Sequence, residues 1–154
     1  LTHELATIEA AVLAALADLK TAGTIRTLDP YQEMASVEDL KALRAKFPAV
    51  YVFADGLDIS PRNQVDEMRA AVVVLVADQN TRGGRAATAG DSESSGVYAI
   101  LEAVRSRLHR RIIVAGWTEL FCVSEGSIDI DLGSRVYLFG ARYELRTPRY
   151  HQED

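Results

Sequence analysis

VDEMRAAVVVLVA, residues 65–77, is the stretch on which the fold turns. Met68, Ala70, Val72, Val74 and Val76 recur at every second position, the period of a β-strand. The intervening residues change character along the run: Glu67 and Arg69 are charged, whereas Ala71, Val73 and Leu75 are apolar. A strand of this kind is covered on one face along its whole length and on the other face only towards its end. The final segment, residues 135–147, has the same period, with Tyr137, Phe139, Ala141, Tyr143 and Leu145 against Arg142, Glu144 and Arg146. Pro148 is expected to end it, and Gly140 to mark a bulge or a close backbone approach.

Outward from these strands the period changes. Leu5, Ile8, Val12, Leu16 and Leu19 are spaced by three and four, which predicts an amphipathic helix over 3–21, capped by Thr2 and closed by Gly23. Ile25 to Leu28 is expected as a short strand cut off by Asp29-Pro30. A second helix is expected from Ser36, paired with Asp39 at its start, to Phe47 before Pro48. Ala49–Phe53 reads as a strand ended by the turn pair Asp55-Gly56. A third helix opens at Asp91 or Ser92 and carries Val97, Ile100, Leu101, Val104 and Leu108. Ile112–Val114 and Trp117–Glu125 read as strand, and Ser127–Gly133 as an edge ribbon. The expected fold is α/β of the α+β type: one domain, 1–154, with about three helices on one face of a mainly antiparallel sheet. Residues 78–90 are expected as a flexible loop and 148–154 as a tail. Leu16, Leu43, Val52, Val72, Val74, Leu101, Val104, Phe139 and Tyr143 are the expected core.

Composition narrows the function classes. At 154 residues with 48% hydrophobic and 25% charged residues, the chain can hold a core without staples. The longest apolar run, Ala70–Ala77, is too short to span a bilayer, and no signal-peptide pattern precedes the first helix. One cysteine, Cys122, permits no internal disulfide and fits a reducing compartment. A net charge of −5 argues against a dedicated nucleic-acid binder. Of the 17 basic residues only Lys20, Lys41 and Lys46 are lysine. Arginine is enriched at protein interfaces, where lysine is depleted, although an arginine-favouring codon usage accounts for the same bias.

No catalytic constellation emerges. The loop Asn80–Asp91 has the strand–glycine–helix context of a phosphate site, but Gly90 is followed by Asp91 where a P-loop places lysine, and Glu93 is expected in the first helical turn. His3, His109 and His151 lack metal-ligand spacing, and Cys122 lies among apolar residues as a core thiol. Asp129 and Asp131 share a strand face without the further oxygens of a calcium loop. Ser124 and Ser127 lack a nucleophile elbow. No catalytic residue, metal or cofactor is therefore expected. The arginines at the end of the third helix, Arg107, Arg110 and Arg111, are candidate contacts to acidic groups of a second copy, with Asp129 and Asp131 the first candidates. Unlike, matching patches on one chain suit head-to-tail association, while ordinary solvated charge explains the same residues equally well. Arg82, Gly83, Gly84 and Arg85 form a candidate docking loop.

Five blocks in order, ELATIEAAVLAALADLK (4–20), LKALRAKFPAVYVFADG (40–56), MRAAVVVLVADQNTRGG (68–84), GVYAILEAVRSRL (96–108) after a Gly-Asp step, and SRVYLFGARYEL (134–145), resemble small virion proteins of Mu-like bacteriophages related to the Mu tail terminator. The resemblance implies a structural role: a ring, usually sixfold, that caps the tail tube and sheath and joins the head–tail connector. DNA would meet it only as the passing genome, no membrane is involved, and assembly in the host cytoplasm leads to the neck of the virion. Another neck or tail-completion protein is the alternative within the virion, and a small ligand-binding domain or enzyme the alternative outside it.

Overall fold

In the computed structural model, which describes residues 3–31, 47–62, 65–79, 96–128 and 136–150, the chain opens with helix α1, Glu4–Thr21. Its buried residues are Ile8, Val12, Leu16 and Leu19, four of the five periodic positions, and Leu5 packs partly against them. The cap is His3 rather than Thr2: its Nδ1 accepts the Leu5 N–H at 3.1 Å, so an imidazole supplies the acceptor that the first turn lacks. At the other end Gly23 takes φ +81°, the left-handed geometry that lets its N–H reach back to Lys20 and the Thr24 N–H to Leu19.

Five strands follow in one sheet: β1 Thr27–Pro30, β2 Ala49–Arg62, β3 Val65–Gln79, β4 Phe121–Ser127 and β5 Val136–Tyr150. The spatial order is β1-β2-β3-β5-β4. Three neighbouring pairs are antiparallel, but β1 joins β2 in parallel, so the sheet is mixed rather than mainly antiparallel. The chain between Pro30 and Ala49 is long enough for the crossover that a parallel pair requires. The described residues hold two helices, α1 and α2 (Gly96–Leu108), instead of three. The helix expected over 36–46, with Leu43, lies outside the described residues, and so do 80–95, the greater part of the expected loop.

Three strand ends differ from expectation, each for a local reason. Asp55-Gly56 is a bulge within β2 and not a turn, because the extra residue is absorbed between the pairs Ala54↔Val72 and Gly56↔Ala71. Pro148 does not stop β5. Arg146 turns its N–H and C=O towards Thr118, so Pro148, two residues on, points its missing donor to the same side, beyond the end of β4. Pro30 is likewise tolerated as part of edge strand β1. Between α2 and β4 the chain is irregular where strands were expected over 112–114 and from 117. Gly116 takes φ +83°, the Trp117 N–H turns back to Val114, and the indole is buried.

Both helices pack on one face of the sheet. Val50, Val52, Met68, Ala70, Val72, Val74, Val76, Ala141, Tyr143 and Leu145 form the main core with the apolar faces of α1 and α2. The opposite face carries a smaller cluster of Phe47, Ala49, Tyr51, Leu75, Ala77 and Leu138. It lies at the end of β3 where Val73 and Leu75 replace Glu67 and Arg69, as the change in pattern along residues 65–77 requires. Gly140 is a close approach: a Cβ there would stand 3.0 Å from Ile128 Cδ1 and 3.6 Å from Leu75 Cδ2.

Candidate functional site

The arginine cluster sits where α2 ends and turns against the start of β4. Arg105 reaches Glu125 on β4 (Nε–Oε1 3.1 Å), and Arg107 reaches Asp18 on α1 with two nitrogens, at 2.6 and 2.8 Å. The Arg107 guanidinium holds the Asp18 carboxyl below the usual carboxylate range. Arg107, expected as a contact to a second copy, thus ties the two helices of its own chain together. Both partners are exposed, so the pair registers the helices more than it stabilises them.

Past Leu108 the chain leaves the helix by an unusual route. Arg110 has φ +59°, uncommon for a residue with a Cβ. The turn is fastened on both sides: the Arg110 N–H donates to Leu120 C=O at 2.7 Å, and the Leu120 N–H donates to Arg111 C=O at 3.0 Å. It lays the Arg110 guanidinium 6.0 Å from the Phe121 ring centroid, while the His109 ring meets the same phenyl edge-on at 6.2 Å. His109 Nδ1 accepts the Cys122 N–H at 2.9 Å, which places any proton of the neutral imidazole on Nε2. Phe121 and Val123 are 41% and 50% exposed, large values for apolar side chains beside fixed polar partners. Among the described residues Arg110 and Arg111 have no carboxylate partner. A ring, flanking aliphatics and unpaired arginines match the composition of protein-interface centres.

Arg105, His109, Cys122, Val123, Ser124 and Glu125 line an open depression of about 280 Å³ beside this patch. Cys122 is half-buried at its wall rather than a core residue, because β4 is an edge strand. Burial pushes its thiol up, and the Glu125 carboxylate adds to this, so the depression contains no activated thiolate at neutral pH. Among the described residues no group of three His, Cys, Asp or Glu side chains could hold a metal ion. On the helix-free face Asp55 is joined to Arg142, which also lies 3.8 Å from Glu144, so part of the acidic surface is neutralised within the chain. Asp129, Asp131, Arg82, Gly83, Gly84 and Arg85 lie outside the described residues. Sequence reasoning missed His109, Phe121 and Val123 as surface groups, since the Phe-Cys-Val run reads as core until the strand order makes β4 an edge.

Residues 4–130 match the family described as bacteriophage Mu, Gp37. The chain belongs to that family. Among solved structures, a chain of the "Virion of native gene transfer agent (GTA) particle" shares the fold with a TM-score of 0.57 and 14% identity, covering 96% of this chain and 100% of its own. No curated protein matches the sequence. Family membership bears out the resemblance to the small virion proteins of Mu-like bacteriophages.

Proposed function

We propose that this member of the Mu Gp37 family is a structural protein of the virion neck that closes the end of the tail as a ring, of six copies by the family resemblance. The observation that carries the reading is the family match over residues 4–130, joined to a fold shared over 96% of the chain with a chain of a virion particle. The patch at the end of α2 supports it: Phe121, Arg110 and Arg111 offer contact area and charge that meets no carboxylate among the described residues, whereas the neighbouring depression offers no activated nucleophile. Arg110 and Arg111 are the proposed contacts to acidic groups of the next copy. Arg82–Arg85 and the last residues of the chain are proposed to dock on tail tube, sheath or connector, and DNA only passes through. The test is electron microscopy of particles assembled without this protein. A terminator predicts tails of uncontrolled length that do not join heads. Tails of normal length that fail to join heads identify a different neck protein, and normal tails joined normally to heads refute a neck role.

A further inference from the structure

Among the described residues, the two edges of the sheet are open in the same band and closed in the same row. Following the pairing across all strands, Ala54, Val72, Tyr143 and Cys122 form one row. At its two ends the outward N–H groups are both satisfied by a side chain: Ala54 donates to Glu9 Oε2 at 3.2 Å, and Cys122 to His109 Nδ1 at 2.9 Å. These contacts blunt the edges there, as folded proteins commonly do.

Two and four rows further along, no described residue does so. One row runs Pro30–Val52–Val74–Ala141–Glu125 and another Leu28–Val50–Val76–Phe139–Ser127. Thr27 in β1 donates to Pro48 just before β2, and Tyr31 just after β1 donates to Val52 in β2, so Leu28 and Pro30 between them turn their backbones outward. Just after β4, Ile128 donates to Leu138 of β5, so by alternation Ser127 and Glu125 turn outward. Among the described residues these outward groups have no partner, and Pro30, Glu125 and Ser127 are exposed.

We infer that the β4 edge of one copy pairs with the β1 edge of the next, so that the sheet runs on from subunit to subunit around the ring. The inference rests on the ring reading above and names the surfaces that close it. β1 is parallel to β2, and three antiparallel steps then reverse the direction, so β4 runs opposite to β1. A neighbour placed by rotation about an axis along the strands therefore forms an antiparallel pair. With the rows kept level, Leu28 and Ser127 exchange two hydrogen bonds, and the Glu125 N–H donates to the Pro30 C=O. Pro30 gives no N–H, and this register asks for only the carbonyl from it to complete these three bonds. The two edges are unlike, as a head-to-tail contact requires, and edge pairing between identical β4 strands would leave β1 open.

Disulfide trapping tests this directly. Residues exchanging both bonds in an antiparallel pair have Cα atoms about 5.5 Å apart, inside the range of roughly 4.4–6.8 Å that a disulfide spans. Leu28→Cys with Ser127→Cys, in a Cys122→Ala background and assembled on tails, is expected to give a ladder of covalent multimers on oxidation, with no ladder from either single variant. Ser127→Pro supplies a second measurement free of Leu28 packing. It removes an N–H that β5 does not use, so the monomer should melt normally while incorporation into tails falls at least tenfold. Rings visible on tails with no ladder, and with Ser127→Pro incorporated like the wild type, overturn edge pairing and leave the ring reading standing. Covalent dimers from Ser127→Cys alone overturn it in favour of paired β4 edges. Tails that carry no ring of this protein overturn both.

Discussion

Two buried tyrosines should make this fold fail in alkali, and replacing both with phenylalanine should remove much of that weakness. Tyr143 is wholly buried at the centre of β5, and Tyr51 is 4% exposed in the cluster on the opposite face. Neither hydroxyl meets a nitrogen or oxygen partner among the described residues, and that of Tyr143 has only the Cys122 thiol beside it. Burial raises both phenols, Tyr51 to about 12 with the Asp29 carboxylate adding to the shift, and Tyr143 further, helped by the adjacent Cys122 thiol. An unfolded tyrosine ionises near 10, so below about pH 10 both states hold the proton and the shift has no effect on stability. Above that the unfolded chain releases protons that the native chain keeps, and stability falls by roughly 1.4 kcal/mol per pH unit for each tyrosine. The Tyr51 contribution levels off as pH passes its folded value, while that of Tyr143 continues. Urea unfolding followed by circular dichroism at pH 8 and pH 11 measures the difference. The wild type should lose about 3 kcal/mol more than the Tyr51→Phe/Tyr143→Phe double variant. At pH 8 the variant should be as stable as the wild type or about 1 kcal/mol better, because a buried hydroxyl without a partner costs desolvation free energy. Equal pH dependence in the two proteins would refute the assignment of both phenols to the interior. Marked destabilisation of the variant at pH 8 would show that a hydroxyl has a partner.

Leu16→Ala empties a fully buried site between α1 and the sheet and should cost about 2–5 kcal/mol in the same unfolding assay, against little change for the exposed Lys20→Ala. Arg110→Gly releases the left-handed backbone at φ +59° but removes the guanidinium over Phe121. These effects are each about 1 kcal/mol and opposed, so the melting temperature should stay within a few degrees while incorporation into tails drops. Unchanged incorporation would exclude Arg110 from the contact.

Periodicity alone carried much of the fold. Residues 65–77 and 135–147 declare strands because one face alternates without interruption, and α1 and α2 declare their buried stripes at Ile8, Val12, Leu16, Ile100, Leu101 and Val104. The second cluster under Leu75 was legible as well, since charged residues give way to apolar ones on that face of β3. Local pattern failed where a neighbouring strand decides the outcome. Asp55-Gly56 has turn chemistry, yet β3 continues beside it and converts it to a bulge. Pro148 breaks a strand only when its missing donor faces a partner, which depends on where β4 ends.

The contrast is sharpest at the candidate site. Composition exposed the arginine bias and the lack of catalytic spacing, because residue type and chain separation are properties of the sequence. It could not tell Arg107, held by Asp18 from a helix 89 residues away, from Arg110 and Arg111, which meet no carboxylate among the described residues. Nor could it place Phe121 and Val123 at the surface, or leave the outward backbone groups of Glu125 and Ser127 without a partner among the described residues. A sheet edge is defined by the order β1-β2-β3-β5-β4, and that order arises from pairings between strands far apart in the chain. The side-chain pattern of β4 says which residues share a face. Only the tertiary structure says which of its backbone groups have no neighbour.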